Sequence, residues 1–380
     1  MNINKLLWGC FLPVLFVIPV AGQHPKQVAA VQFYLDSVRQ ACGFPAVRAT
    51  VMAGNQAPFT VVSGYANLEN KTPLKANDLL LSGSTPKLFY ATLTLLLAEE
   101  GRLNLDDKLS RYLGAQSWFL RLPNATDITL RQLLNHTAGV PEYYELGDCI
   151  KRLREEPDKN WSLEELIAYV LDQAPLNKAG EKFGYADTHY LLLGMALEKV
   201  LGHSVHPEIK RRILKPLGMR RTIPSQSRRI KGLVCGYSMP NSPFGFSGAT
   251  IRDGLFVINP QVEQMGGGYV STTEDWVRFI YGLMNGRILS PKSLEAMKTG
   301  VAAPITAADD QYGLGMQIRL SPKGTGFGHG GWFPGYLTEV EYFPEAGIAI
   351  AIQFNTDDFK QLKGHPRKYT LALLKRLTDQ

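Results

Sequence analysis

The sequence predicts an α+β fold: an antiparallel sheet assembled from both ends of the chain, covered by the N- and C-terminal helices, with an all-helical lobe inserted between its halves. Three observations predict it. Strand-like runs stand near the N-terminus and reappear after about residue 232, helical periodicity dominates from Ser84 to about Gly218, and a helical pattern lies at each end. With 380 residues, 45% hydrophobic and 20% charged, the chain can bury a large core as one big domain or two lobes.

Taken in order, "MNINK" is followed by an apolar run over residues 6–20, too short and too interrupted by proline to span a membrane comfortably. Residues 1–22 therefore read as a secretory signal peptide cleaved near Ala21 or Gly22, which predicts an exported protein, periplasmic or secreted. A retained N-terminal membrane anchor is the alternative. Cys10 in "LWGC" precedes most of the apolar run, the reverse of a lipoprotein signal.

A single domain is then expected over 23–380, with an α/β lobe at 23–83 and 232–380 and a helical lobe at 84–231. Residues 26–41 have helical periodicity, and "AVRATVMAG" and "FTVVSGYANL" flank the turn-like "NQAP" as a hairpin. In the middle, "NLDDKLSRYL", "ITLRQLLNHTAG", "SLEELIAYVLD", "THYLLLGMALEKVLG" and "HPEIKRRILKPLGM" read as helices. "STTEDWVRFIYGLMNG" is a capped helix, "YGLGMQIRL", "GFGHGGWFPGYLTEVEYF" and "GIAIAIQFN" are strand-like, and a last helix is expected near 364–378.

Beyond the signal, Cys42, Cys149 and Cys235 are odd in number and far apart, so neither a disulfide framework nor a zinc site is expected, and no cofactor is implied. The net charge of +7 is uneven: residues 210–231 hold nine basic and no acidic residues, leaving 7 − 9 = −2 for the rest. That segment is either a solvated face or a contact for an anionic cell-wall polymer or membrane surface. No aromatic residues interleave it as a nucleic-acid platform would.

Three stretches carry candidate chemistry. In "LSGSTPKLFYATLTLLLAEE" (81–100), Pro86 is tolerated only in a first turn, so Ser84 stands at a helix start and Lys87 lies one turn on, on the same face. The apolar residues that follow predict a dry setting, and a neutral amine beside a serine hydroxyl is a general base. A helix cap followed by a snorkelling lysine is the plainer reading. "EKFGYADTHYLLLG" puts Tyr185 and Asp187 just before a buried helix, where a loop can deliver both to a cleft. "GFGHGGWFPGY" puts His329, Gly330 and Gly331 on a strand bare at two successive positions, as where another chain or a ligand approaches the backbone. His136 in "NHTAG" reads as a helix C-terminus closed by Gly139 and Pro141, and His203 and His206 as surface.

In this order S-T-P-K (84–87), Y-A-D (185–187) and H-G-G (329–331) resemble the S-x-x-K, Y-x-N and K-T-G or H-x-G signature of the penicillin-recognising serine hydrolases. These include class C β-lactamases, D-alanyl-D-alanine carboxypeptidases and their esterase relatives. "LLNHTAGV", "LKPLGM" and "GGGYVSTTEDWVRF" extend the resemblance over nearly the whole predicted mature chain. It implies a β-lactamase/transpeptidase-like fold, Ser84 as nucleophile, and Lys87 and Tyr185 sharing proton transfer. Asp187, His329, Gly330, Gly331 and Trp332 would contact substrate, with the N–H groups of Ser84 and Trp332 as oxyanion hole.

Two departures bear on the substrate. Asp187 replaces the family's asparagine, keeping an acceptor for Lys87 but losing the amide donor; Gly330 replaces a hydroxyl residue and removes a contact to a substrate carboxylate. The expected function is an exported serine hydrolase acting through a Ser84 acyl-enzyme on a small ester or peptide-like amide, of esterase, carboxypeptidase or D-amino-acid peptidase type. The alternatives are a catalytically impaired relative that binds cell-wall peptides or a protein partner, and a true β-lactamase.

Overall fold

The computed structural model describes residues 25–379. The predicted signal segment, Cys10 included, lies outside the described residues. Eleven elements position the site: α1 (Pro25–Cys42), β1 (Ala46–Ala53), β2 (Phe59–Asn67), α2 (Lys87–Glu99), α3 (Asp187–Leu201), α4 (Thr273–Met284), β3 (Gln317–Ser321), β4 (Gly324–Phe333), β5 (Tyr336–Phe343), β6 (Ile348–Phe354) and α5 (Arg367–Thr378). With short strands at 301–302, 311–312 and 72–73, six of these strands form a nine-stranded sheet. Its order is 301–302, 311–312, β3, β4, β5, β6, β1, β2, 72–73, antiparallel throughout.

The two ends of the chain meet where β1 pairs with β6, from Val47↔Phe354 to Ala53↔Ile348. Helices cover both faces here, and β1 and β6 accordingly read as almost continuous apolar, β-branched runs instead of alternating ones. One face packs on α1 and α5 through Val31, Leu35, Leu373 and Leu374 against Val47, Ile350 and Ile352. The other face joins a larger core containing Leu88 and Phe89 of α2, Leu191 of α3, and Trp276 and Phe279 of α4, so helical region and sheet share one interior. Phe89 stacks on Trp276 with ring centroids 4.8 Å apart, fixing α2 against α4.

The hairpin at 46–67, the terminal helices and the joined sheet follow the sequence pattern. The middle helices are shorter than their patterns: Ser110–Leu113, Leu130–Leu134 and Leu163–Ile167. Capping boxes at Thr129/Gln132 and Ser162/Glu165 start the latter two, but so few turns hold only because tertiary packing buries their apolar sides. The pattern at 206–219 breaks into α-helix Val205–Ile209 and a π-turn over Lys210–Leu214.

Within 210–231, Arg211 and Arg212 pair with Glu208, Arg212 also with Glu100, and Arg228 with Asp158. Lys210, Lys215, Arg220, Arg229 and Lys231 remain exposed. Among the described residues no helix is long and apolar enough to cross a membrane.

Candidate active site

The stretch 82–86 is a run of tight turns. Thr85 N–H donates to Ser82 O at 3.3 Å and Lys87 N–H to Ser84 O at 3.0 Å, after Gly83 at φ +53° has turned the chain. Pro86 occupies the N-cap of α2 and no side chain caps it, so the Ser84 hydroxyl does not serve as a helix cap. It instead receives the Lys87 amine at 3.0 Å.

Lys87 is wholly buried, so its amine must find protein partners. Nζ donates to Asp187 Oδ1 at 2.5 Å and to the Gly266 carbonyl. These two acceptors fix two of the three N–H directions and leave the third aimed at Ser84 Oγ. An ammonium there donates to the hydroxyl; loss of that one proton turns the same position into a lone pair facing the serine O–H. Gly266 makes the approach possible, because a Cβ on it would stand 2.9 Å from the Asp187 carboxylate carbon.

Asp187 opens α3 and its own N–H donates to Glu142 Oε2 at 2.5 Å. Tyr185 lies two residues before it, with its ring centroid 5.0 Å from Lys87 Nζ and 4.2 Å from the ring of His136. Burial of the phenol and the Asp187 charge push the Tyr185 hydroxyl well above its ordinary pKa, partly offset by a hydrogen bond with Ser84. The residue as a whole is 36% exposed and borders the cleft at Ser84.

His136 closes the helix Leu130–Leu134 at φ +58°, but it also floors the site: buried, beneath Tyr185, and 3.0 Å from His189 Nδ1 through its own Nδ1. Burial, and then the neighbouring His189 and Lys87 charges, hold it well below an ordinary imidazole, so it is a neutral support. His206 is not a plain surface residue; its Nδ1 lies 2.9 Å from the Tyr269 hydroxyl. His203 is exposed.

The H-G-G strand meets the serine turn backbone to backbone. A Cβ on Gly331 would stand 2.0 Å from Ser82 O, and one on Gly83 2.4 Å from Trp332 N, so both positions require glycine. The approaching chain anticipated from these bare positions is, at Gly331, the serine segment itself. Gly330 N–H donates away from β5, to Gln317 Oε1 at 3.0 Å. Alternation along an antiparallel strand then directs the Trp332 N–H the same way, toward Gly83 and Ser84. The Gly330 edge is not open to a substrate strand: Gln317 takes its N–H, and His329 Nδ1 lies 2.5 Å from its carbonyl.

His329 itself is buried, with both ring nitrogens engaged. Nδ1 donates to that carbonyl and Nε2 accepts the Tyr312 hydroxyl at 2.7 Å, while burial lowers its pKa to about 3. It shapes the cleft wall and has no nitrogen left for a ligand.

Two cavities open from Ser84, Tyr185 and Trp332. One, of about 190 Å³, combines Asp187 and Glu263 with Tyr143, Tyr144, Phe244 and Phe333. Burial pushes Glu263 up to about 8, and burial plus the Asp187 charge push Glu142 well above the carboxylate range. The other, of about 340 Å³, runs past His329 and Gly330. Among the described residues no cluster of metal-ligating side chains forms. Glu142, Glu263, the Gly266 carbonyl and His136 were not singled out for the site from sequence, although "LLNHTAGV" and "GGGYV" border them.

The beta-lactamase family model matches residues 32–374. The chain belongs to the beta-lactamase family. It is 30% identical over 310 residues to penicillin-binding protein 4* of Bacillus subtilis (strain 168), covering 78% of this chain and 65% of that protein. It is 30% identical over 180 residues to protein flp of Staphylococcus aureus (strain MW2), where it spans only 35% of the relative. Among solved structures it superposes on a D-stereospecific amidohydrolase from Streptomyces sp. with TM-score 0.76 and 27% identity, covering 88% of this chain and 97% of that one. A D-amino acid amidase from Ochrobactrum anthropi SV3, complexed with D-phenylalanine, gives TM-score 0.78 and 25% identity over 93% and 99%. This member of the family therefore has the β-lactamase/transpeptidase-like α+β fold and stands among serine hydrolases.

Proposed function

We propose that this protein is an exported serine hydrolase that acylates Ser84 and releases the acyl group to water, acting on a peptide-like amide or ester whose acyl part carries a free ammonium group. The observation that carries the hydrolase reading is the Lys87 amine, held by Asp187 and the Gly266 carbonyl so that its remaining valence faces Ser84 Oγ at 3.0 Å. Ser84 Oγ attacks the carbonyl carbon while its proton passes to the Lys87–Tyr185 pair. The Ser84 and Trp332 N–H groups receive the developing oxyanion, and the same proton leaves with the amine or alcohol. Water then attacks the ester, its proton taken by the same pair and returned to Ser84 Oγ as the acyl C–Oγ bond breaks and the carboxylic acid departs.

The ammonium preference rests on charge. Asp187 and Glu263 line the aromatic well beside Ser84, and an ammonium entering it draws the Glu263 carboxyl, which burial keeps protonated up to about pH 8, towards its charged form. A cation entering that well meets carboxylates and ring faces; a carboxylate-bearing β-lactam or carboxypeptidase substrate meets like charge. The names of the solved relatives add a chiral choice, the D-amino acid amide. Export rests on the apolar run over residues 6–20.

The test is release of ammonia from D-phenylalanine amide, its L-enantiomer and N-acetyl-D-phenylalanine amide. Turnover of the free D-amide, with at least about 10² less of the acetylated form, is expected. Equal turnover of free and acetylated amides would remove the ammonium reading.

A further inference from the structure

The larger cavity does not stop at Ser84. It passes over the edge of β4 at Gly330 and ends against Glu339, Phe359, His365 and Pro366, on the face of the sheet covered by α5. Two features open that passage. The register of β3 on β4 reaches only Gln317↔Gly328, so no strand lies over the β4 edge beyond it. Gly330 has no side chain, and a Cβ there would stand 3.2 Å from Glu339 Oε2, its cross-strand partner.

Glu339 is wholly buried. Arg319 donates to its Oε1, but Oε2 has no hydrogen-bond partner among the described residues. His365 Nδ1, 3.7 Å from Oε2, does not serve, because it accepts the Arg367 N–H at 3.2 Å. A buried carboxylate oxygen without a donor carries an uncompensated desolvation cost, so such groups in native structures call for a partner. The formal charges of the surrounding groups, Arg319 and Arg367 against Glu339, Glu341 and Asp310, sum to 2 − 3 = −1, with burial raising the Glu341 pKa and with Arg319 Nε and Nη1 likewise without hydrogen-bond partners among the described residues.

We propose that this far arm is a second binding subsite, taking a cationic group (ammonium, amidinium or guanidinium) on a flat apolar stem, with Glu339 Oε2 as its acceptor. Phe359 and Pro366 accommodate the stem. The arm and the Asp187 well share only Ser84, Tyr185 and Trp332 among their lining residues, and we assign the group held in the arm to the leaving side of the substrate. That last assignment rests on Ser84 as nucleophile; the binding does not. Where the family's hydroxyl residue would meet a carboxylate, Gly330 adds no side chain over the buried Glu339 carboxylate.

Benzamidine and its anionic counterpart benzoate serve as probes, titrated by calorimetry into the full chain carrying Ser84→Ala, so that catalysis plays no part. Benzamidine is expected to bind at least about ten-fold more tightly than benzoate, and Glu339→Gln to weaken it by at least about ten-fold. Gly330→Val, which fills the passage and whose Cβ, 3.2 Å from Glu339 Oε2, asks that side chain to give by a few tenths of an ångström, is expected to do the same, and it decides the question should Glu339→Gln unfold. Benzamidine binding unaffected by Gly330→Val, as it would be in the Asp187 well, overturns the proposal, as does benzoate binding as tightly. A failure of Ser84 to react with acylating probes would leave this binding result unchanged, so the two readings fail separately.

Discussion

Glu263 provides a perturbation whose size can be worked out. It is 5% exposed, its Oε2 accepts the Gly268 N–H at 2.9 Å, and burial pushes its pKa from 4.5 to about 8, with the Asp187 charge acting in the same direction. Below 4.5 the carboxyl is protonated folded or unfolded; between 4.5 and about 8 only the folded protein keeps the proton. The folded state then binds more protons than the unfolded one, so stability falls as pH rises through that window and levels off above it. The span of about 3.5 units, at about 1.4 kcal/mol each, is about 5 kcal/mol. With an unfolding entropy of about 2.1 cal/mol/K per residue over 380 residues, this converts to about 6 °C in Tm. Glu263→Gln keeps an acceptor for Gly268 and removes the titration. Scanning fluorimetry of both proteins should give equal Tm near about pH 5 and the variant higher by up to about 6 °C near about pH 9. A difference that does not grow with pH would refute the reasoning.

Gly331→Ala would drive a Cβ to 2.0 Å from Ser82 O and force β4 off the serine turn, so loss of nearly all turnover together with a lowered Tm is expected; wild-type kinetics would contradict the close packing. Asp187→Asn removes a charge from the ammonium well and restores an amide donor. Weaker discrimination between free and acetylated D-phenylalanine amide, and a gain in acylation by a fluorescent penicillin, are expected in kinetics and gel labelling. Loss of all activity with the fold intact would instead make the Asp187 carboxylate indispensable to the chemistry. Reversing Lys210, Lys215, Arg220 and Lys231, all exposed, should abolish salt-sensitive retention on anionic vesicles or cell-wall sacculi without changing hydrolysis. Unchanged retention would leave only a solvated face, and the pairing of Arg211, Arg212 and Arg228 already reduces the charge available.

Much of this arrangement was legible in the sequence because local rules carried it. Pro86 limits where α2 can begin, which leaves Ser84 in the turn just before it and Lys87 at its first residue, and β-branched runs at both ends mark the strands that meet at β1 and β6. What pattern could not supply was contact between distant segments. Nothing near Gly266 says that its carbonyl, 179 residues from Lys87, takes an N–H of that lysine. Glu142 and Glu263 read as ordinary charged loop residues until the fold buries both beside Asp187. His329 shows the converse: its place in the H-G-G motif suggested a ligand contact, and the fold gives both of its nitrogens to Gly330 and Tyr312. The middle helices are shorter than their patterns because apolar periodicity continues into 3-10 turns such as Ala168–Val170, where Val170 is buried.

The central claim, that Ser84 is a nucleophile activated through Lys87 and Tyr185, is tested most directly by intact-mass measurement after incubation with a fluorophosphonate probe. The account predicts one covalent adduct per chain, mapped to Ser84, absent from a folded Ser84→Ala protein and formed at least about 10² more slowly by Lys87→Ala. Because Ser84 caps no helix, its replacement should leave Tm almost unchanged. An adduct that forms undiminished in Ser84→Ala, or a folded wild-type chain that forms none, would contradict it.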